Sequence, residues 1–184
     1  MEPTITLITG GSRSGKSRFA LEKMQAYPRK VFLATAVAID PEMKERIEIH
    51  RKERSADFLT VEEPIHLAQA IQRLAPQADA ILVDCLTFWL NNLFHKWPDR
   101  DGAPYKLFDK EIQDFLEVLE ERPTSFILVT NEVNMGVIPP DPLTRRFVER
   151  HGCLNQEIAR LADEVVLMVT GIPQVLKQKE VVVR

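Results

Sequence analysis

The chain of 184 residues carries 24 lysines and arginines against 27 aspartates and glutamates, a formal net charge of −3 at pH 7. Binding along a nucleic-acid backbone normally needs clustered cations, so this charge balance argues against nucleic acid as the main partner. It is compatible with a small anionic ligand. The N-terminus lacks a secretory-signal pattern, and no stretch reaches the roughly 18 apolar residues of a membrane span, so we expect a cytoplasmic protein. The length fits one domain over residues 1–184.

Five short apolar runs predict buried strands. Their continuous hydrophobicity is typical of parallel strands covered on both faces, although short runs of this kind also occur in buried helices. Each run ends in a hydroxyl or carboxylate side chain, and ligands of open α/β sheets bind beyond the carboxyl ends of the strands. We therefore expect the functional site at this polar edge. The runs are residues 5–9, 31–35, 80–84, 126–130 and 165–170.

The segments between the runs predict amphipathic helices, because their apolar residues recur at spacings near three and four. They are residues 17–27, 62–75, 105–121 and 145–162. Alternating strand and helix implies right-handed crossovers, so the expected fold class is α/β, a mostly parallel, doubly wound sheet with helices on both faces. The loop over residues 131–142 follows a strand end and is long enough to be either functional or an ordered structural excursion.

The sequence GGSRSGKS follows the first run and satisfies the phosphate-loop pattern in its required context of strand, loop and helix. The glycines let backbone N–H groups turn towards phosphate oxygens, and the following helix adds the positive end of its dipole. Lys16 is expected to reach the β and γ phosphates, and Ser17 to bind Mg²⁺. A glycine-rich turn with a surface lysine is the alternative. The expected nucleotide contacts are Gly10, Gly11, Ser12, Arg13, Ser14, Gly15, Lys16 and Ser17.

Asp84 ends the third apolar run, which is the expected place for the carboxylate that holds Mg²⁺ through its water shell. An apolar strand ending in aspartate is common, so this assignment depends on the phosphate loop. Together the two motifs predict a P-loop NTPase-like fold that uses a nucleoside triphosphate. They leave the chemistry open.

His50 lies in the highly charged stretch EMKERIEIHRKER. An Asp-Pro pair precedes this stretch and suits the start of a helix, so we predict a helix over residues 41–54. At about 100° per residue, Arg46 and Arg54 fall within about 40° of His50. Such cations favour the neutral imidazole, which is the nucleophilic form, and would neutralise the phosphate that it attacks. A histidine at the boundary of a charged helix remains the alternative.

The remaining histidines and the cysteines show no pattern of a metal site or a disulfide framework. His66, His95 and His151 are expected to be structural residues. Cys85 and Cys153 are expected to be buried and to behave as small apolar side chains.

Several motifs in order resemble the bifunctional adenosylcobinamide kinase and adenosylcobinamide-phosphate guanylyltransferase family of cobalamin biosynthesis, over nearly the whole chain. They include GGSRSGKSRFA, DPEMKERIEIHRKER, ILVDCLTFWLNNL, LVTNEVNMGVIPPDPLTRRF and LNQEIARLADEVVLMVTGIP. The segment ending in RIEIH and the block VTNEVNMG are the most specific parts, because phosphate loops alone are widespread.

The resemblance implies a P-loop α/β fold, a homotrimer and two activities. The kinase phosphorylates a hydroxyl of adenosylcobinamide with ATP or GTP, and the transferase moves GMP from GTP onto that phosphate and releases pyrophosphate. The histidine that carries GMP in the family falls on His50. The resemblance also places nucleotide contacts on the phosphate loop and on Ala34, Thr35, Ala36, Arg51, Lys52, Glu53, Arg54, Glu62 and Asp84.

Two departures from the family pattern affect these assignments. Ile49 stands where a family member has a second histidine, which leaves His50 as the single candidate nucleophile. Asp84 stands where that member has glutamate, a change that keeps the charge and shortens the reach to the metal. Two other functions fit the same motifs: a single-activity P-loop kinase of a small alcohol, and a GTP-binding regulatory module without catalysis.

Overall fold

The computed structural model describes residues 2–38, 41, 44–45, 57–97 and 106–179. Most of the helix predicted over residues 41–54 lies outside these ranges, including His50, Arg46 and residues 51–54. Within the described ranges the protein is a single seven-stranded sheet with helices on both faces.

The sheet has the strand order β3-β2-β4-β5-β1-β6-β7. Strands β1 to β6 are parallel, and β7 pairs antiparallel with β6 at one edge. The five predicted runs are confirmed as β1, β2, β4, β5 and β6, with their ends shifted by at most one residue. In chain order the strands are β1 (Ile5–Gly10), β2 (Lys30–Ala34), β3 (Phe58–Glu62), β4 (Ala80–Asp84), β5 (Ser125–Val129), β6 (Glu164–Val169) and β7 (Ile172–Gln178).

The five described α-helices include one that the sequence pattern did not predict, between β4 and the third predicted segment, residues 105–121. The helix predicted over residues 62–75 begins at residue 67 instead, because Glu62 ends β3 and pairs with Ala34 of β2. The helices are α1 (Lys16–Met24), α2 (Leu67–Leu74), α3 (Leu86–Lys96), α4 (Lys106–Glu121) and α5 (Pro142–Leu161).

Helix α5 starts three residues earlier than its apolar spacing predicts, since it has a polar cap. The side chain of Asp141 accepts a hydrogen bond from the backbone N–H of Thr144 at 2.9 Å, and Pro142 occupies the first turn. An N-cap carboxylate followed by proline is a strong start signal for a helix. The cap therefore fixes where the 131–141 loop ends.

Alternate residues of the central strands point into two apolar cores. One core contains Ala20 and Met24 of α1, and the larger one contains the buried faces of α2, α3, α4 and α5. Cys85 is buried in the α1 core as predicted, but Cys153 is exposed, so that prediction is wrong. Cys153 lies on the side of α5 opposite the buried Leu154 and Ile158. No helix in the described part of the chain is long and apolar enough to cross a membrane.

Trp89 of α3 packs in the larger core and contacts residues of two other segments. Its side chain is fully buried, its indole N–H donates to the carbonyl of Ile65 at 2.7 Å, and its ring centroid lies 5.0 Å from that of Phe115.

We expect Trp89→Ala to lower the free energy of unfolding by about 3–5 kcal/mol, measured by urea denaturation, because it leaves a large cavity. The exposed Leu107 provides the control, and Leu107→Ala should cost less than about 0.5 kcal/mol. Equal losses would contradict this account of the core.

Candidate functional site

The loop between β1 and α1 packs tightly against the β6–β7 hairpin, and this packing requires its glycines. Gly10 has φ +146°, and a Cβ added there would lie 2.5 Å from the carbonyl oxygen of Met168. Gly15 has φ +94°, and its Cβ would lie 3.3 Å from the Cα of Gly171. L-residues rarely adopt such φ values, and these contacts leave no room for a side chain. The phosphate-loop pattern therefore matches a backbone that only glycine can supply at these two positions.

Lys16 lies inside the loop rather than on the surface. Its side chain is buried, and its ammonium group donates to the carbonyl oxygens of Gly10 at 2.9 Å and Gly11 at 2.6 Å. This position is inconsistent with a surface lysine beside a turn. It holds the cation where the first residues of α1 present their backbone N–H groups, which the helix itself cannot pair. Cation and helix terminus together form an anion-binding position.

Two hydroxyl groups at the loop are buried without a hydrogen-bond partner among the described residues. They belong to Thr9, directly before the loop, and Ser14, within it. Buried polar groups are nearly always paired, so two orphans at one loop indicate that a polar ligand belongs there. Ser17 is half-buried at the start of α1, and Ser12 and Arg13 lie on the exposed outer part of the loop.

The carboxyl ends of β2, β3 and β4 bring three further predicted residues side by side. Ala34 is paired in register with Glu62 on one side and with Asp84 on the other. Strand β5 lies between β4 and β1, which puts Asp84 roughly 10 Å across the sheet from the phosphate loop at ordinary strand spacing. That separation suits a carboxylate that reaches a metal through its water shell.

Thr35 contacts protein rather than open space. Its hydroxyl is fully buried, donates to the carbonyl of Cys85 at 2.7 Å and accepts from the Cys85 backbone N–H at 2.9 Å. The side chain thereby holds the backbone next to Asp84. A direct nucleotide contact by Thr35 or by its half-buried neighbour Ala36 stays a prediction.

The charges of Asp84 and Lys16 both reach the buried thiol of Cys85. Burial is the main cause that raises the pKa of this thiol to about 12; the charge of Asp84 acts in the same direction, and Lys16 opposes the shift. The thiol therefore stays protonated at neutral pH and is not a nucleophile. Its surroundings show that the predicted metal-binding carboxylate and the loop lysine share one electrostatic environment.

A buried histidine network, which the sequence did not reveal, lies at the start of the loop that follows β5. His151 of α5 is fully buried, and its Nε2 lies 3.0 Å from Thr87 Oγ1 and 3.2 Å from Thr130 Oγ1. Its Nδ1 lies 3.3 Å from the amide nitrogen of Asn155. That amide nitrogen also donates to the Asn131 carbonyl at 3.3 Å, which fixes its orientation. Because Nδ1 must then accept, the proton of the neutral ring lies on Nε2 and is donated to the threonine hydroxyls.

The other two described histidines, His66 and His95, take no part in this network. His66 forms a 2.7 Å contact from Nδ1 to Glu111, and His95 is exposed at the end of α3. No group of three or more histidine, cysteine or acidic residues in the described ranges is arranged to hold a metal ion. The prediction of structural roles fits His66 and the buried His151. His50, Arg51, Lys52, Glu53 and Arg54 lie outside the described residues.

The chain is similar to bifunctional proteins of adenosylcobalamin biosynthesis. A family model described as cobinamide kinase / cobinamide phosphate guanyltransferase matches residues 6–176. The bifunctional adenosylcobalamin biosynthesis protein CobP of Pseudomonas aeruginosa is 43% identical over 173 residues, which cover 93% of this chain and 96% of that protein. Its counterpart CobU of Salmonella typhimurium is 40% identical over 174 residues, covering 90% and 96%.

Among solved structures, a KaiC-like protein from the archaeon Pyrococcus horikoshii matches with a TM-score of 0.50 at 16% identity. The match covers 90% of this chain and 71% of that one. At this identity the likeness shows the α/β fold alone, and it confirms the fold class predicted from the sequence.

The buried ring of His151 predicts a specific dependence of stability on pH. Burial lowers its pKa from 6.5 to about 4, and its hydrogen-bonding contacts, Thr87, Thr130 and Asn155, do not titrate in this range. Above pH 6.5 the ring is neutral in both states, whereas at lower pH the unfolded chain takes up a proton that the folded protein takes up only near pH 4. The lowered pKa of His151 therefore adds about 3 kcal/mol to the free energy of unfolding above pH 6.5. This contribution is lost as the pH falls to 4.

Urea denaturation at several pH values checks this dependence. The unfolding free energy of the wild type should fall more steeply between pH 6.5 and 4 than that of His151→Gln, which does not titrate. His95→Gln removes an exposed histidine and should keep the wild-type slope. Parallel curves for the wild type and His151→Gln would show that His151 titrates normally in the folded protein.

Proposed function

The chain belongs to the cobinamide kinase / cobinamide phosphate guanyltransferase family, and from this premise we propose that one phosphate loop serves both transfers, within a single domain over residues 1–184. The family uses nucleoside triphosphates. The observation that carries the proposal is the buried Lys16 ammonium at the loop, next to two orphaned hydroxyl groups. A triphosphate bound there would pair the two hydroxyl groups and accept hydrogen bonds from N–H groups at the start of α1.

In the kinase reaction, the Lys16 ammonium leaves the carbonyls of Gly10 and Gly11 and binds the β and γ phosphates. A hydroxyl of the cobinamide acceptor attacks the γ phosphorus. The new oxygen–phosphorus bond forms as the bond between the γ phosphorus and the β,γ-bridging oxygen breaks, so the nucleoside diphosphate leaves. The proton of the acceptor hydroxyl passes to water. The loop contributes position and positive charge, which are the main requirements of phosphoryl transfer.

Mg²⁺ fits the residues at this edge. Ser17 and Asp84 offer oxygen donors of the kind that Mg²⁺ prefers, and the orphaned Thr9 and Ser14 hydroxyls indicate that the loop is built for a polar, charged ligand. Ser17 would contact the ion directly, and Asp84 would hold its water shell. When bound, the ion neutralises charge on the phosphates.

In the guanylyl transfer, the imidazole of His50 attacks the α phosphorus of GTP. A nitrogen–phosphorus bond forms, the bond to pyrophosphate breaks, and the GMP group stays on the histidine. An oxygen of cobinamide phosphate then attacks the same phosphorus and releases His50. Support comes from the helical spacing of His50 with Arg46 and Arg54, and from the family to which the chain belongs.

The remaining assignments complete the proposal. Nucleotide contacts are proposed for Thr35, Glu62 and Asp84, which lie at the ends of the adjacent strands β2, β3 and β4. Further nucleotide contacts are proposed for Ala34, Ala36, Arg51, Lys52, Glu53 and Arg54. We also propose GTP as the guanylyl donor, adenosylcobinamide as the acceptor, a cytoplasmic location and a homotrimeric assembly.

Variants of the phosphate loop should impair both reactions together. Lys16→Ala removes the cation on the β and γ phosphates, and Ser17→Ala removes a proposed metal ligand, so kcat/KM should fall about 10²–10³-fold in each assay. Lys23 lies at the other end of α1 and pairs with Glu164, so Lys23→Ala is a matched control that should keep both activities. Wild-type turnover by Lys16→Ala and Ser17→Ala would show that the loop takes no part in catalysis.

The covalent step makes a prediction about His50 alone. With α-labelled GTP and Mg²⁺ the wild type should acquire a protein-bound label that is labile to acid and stable to alkali, as a phosphoramidate is. GTP labelled at the γ phosphate should leave none. His50→Asn should abolish the label and guanylyl transfer while sparing much of the kinase reaction, because γ-phosphoryl transfer needs no covalent carrier.

The exposed His95 supplies the control for this experiment, since His95→Asn should be labelled like the wild type. Label retained by His50→Asn, or label mapped to His66, His95 or His151, would refute His50 as the carrier. A regulatory GTP-binding module would show no label in any of the variants, and a single-activity kinase would phosphorylate its acceptor without one.

A further inference from the structure

The first residues after β5 are attached to the phosphate loop. The backbone N–H of Glu132 donates to the carbonyl of Gly10 at 3.0 Å, the same oxygen that accepts from Lys16. The preceding residue, Asn131, donates its backbone N–H to Thr87 Oγ1 at 2.9 Å. The base of the 131–141 loop is thereby fixed between α3 and the phosphate loop.

The contact from Glu132 matters most when a triphosphate binds. Lys16 must then turn from the Gly10 carbonyl to the phosphates, and the Glu132 N–H keeps that oxygen paired. Gly10 also packs closely on β6, since a Cβ added to it would lie 2.5 Å from the carbonyl oxygen of Met168. The position of residues 131–132 therefore determines how the first residue of the phosphate loop is held in the bound state.

His151 holds the hydroxyl on which this arrangement depends. Its Nε2 proton is directed at Thr87 Oγ1 and Thr130 Oγ1, at 3.0 and 3.2 Å, from a fully buried ring. Thr130 in turn donates to Asn155 Oδ1 at 3.0 Å, and the Asn155 amide nitrogen binds the Asn131 carbonyl. Both the N–H and the C=O of Asn131 are thus fixed by side chains that contact the imidazole.

We propose that His151 is a positioning residue for triphosphate binding, which acts through Thr87 and Asn131 on Gly10 of the phosphate loop. It touches neither the substrate nor the reacting atoms. Its effect is to keep residues 131–132 in place while Lys16 exchanges the loop carbonyls for phosphate oxygens. This proposal rests on the proposed assignment of residues 10–17 as the triphosphate site.

Three variants of the network test the proposal. His151→Leu removes the N–H at similar volume, Thr87→Val removes the hydroxyl with little change in shape, and His151→Gln restores an N–H at a comparable reach. Ile158→Val is the matched control, because Ile158 is a fully buried apolar residue of the same helix and takes no part in the hydrogen bonds of the network. All are compared at a temperature where thermal melts show each one folded.

The readouts are the Kd of a fluorescent GTP analogue and the exchange rates of the Asn131 and Glu132 amide protons by NMR. His151→Leu and Thr87→Val should each raise the Kd about three- to tenfold, as loss of a neutral hydrogen bond predicts. Both amides should exchange faster. The double variant should be no worse than the poorer single one, since both changes break one path. In turnover, KM for the triphosphate should rise while kcat at saturation is retained.

The conservative and control variants separate positioning from stability. His151→Gln should bind within about twofold of the wild type, since it keeps the N–H. Ile158→Val should lose stability with no change in Kd or in amide exchange. Wild-type Kd and exchange in His151→Leu, or an equal rise in Kd in Ile158→Val, would overturn the proposal.

A parallel titration of Lys16→Ala separates this proposal from the function on which it rests. Weaker binding by Lys16→Ala with wild-type binding by His151→Leu would keep the triphosphate site and reject the role of His151. Wild-type binding by Lys16→Ala would reject the site itself, and the proposal for His151 with it.

Discussion

The carbonyl oxygen of Gly10 is the point at which the parts of the site are joined. It accepts from the Lys16 ammonium and from the Glu132 backbone N–H, so it links α1 and the loop after β5 to the end of β1. The same residue is pressed against the Met168 carbonyl of β6, at a φ of +146° that excludes a side chain. Three neighbouring strands, β5, β1 and β6, therefore fix the position of the Gly10 carbonyl. Because the phosphate loop begins at Gly10, its geometry depends on these strands.

The sequence predicted the central strands well and the edges poorly, for a physical reason. Central strands are buried on both faces, so β1, β2, β4, β5 and β6 are continuous apolar runs. Strands β3 and β7 lie at the edges and are largely exposed, which removes that signal. Helix α3 was missed although its buried residues recur at helical spacing. It follows β4 after one residue, so the apolar pattern runs on without a turn signal.

The site residues likewise fall into those that the sequence predicted and those that only the fold brings together. Local motifs identified the phosphate loop and Asp84, because strand, glycines, lysine and serine are consecutive in the chain. The network around His151 includes Thr87 and Thr130 from other elements, and no spacing in the sequence connects these two with the histidine. Thr35 was predicted from its place at a strand end, whereas its hydroxyl holds the Cys85 backbone, a contact that only the paired strands create.

The central claim is that one phosphate loop binds the triphosphate for both transfers, with attack at the γ phosphorus in one and at the α phosphorus in the other. Competition by a GTP analogue that cannot be cleaved at either the α,β or the β,γ bridge tests this most directly. The analogue should inhibit the kinase reaction and the guanylyl transfer competitively with the triphosphate, and with the same inhibition constant. Inhibition of one reaction at concentrations that leave the other untouched would show two separate triphosphate sites and contradict the account.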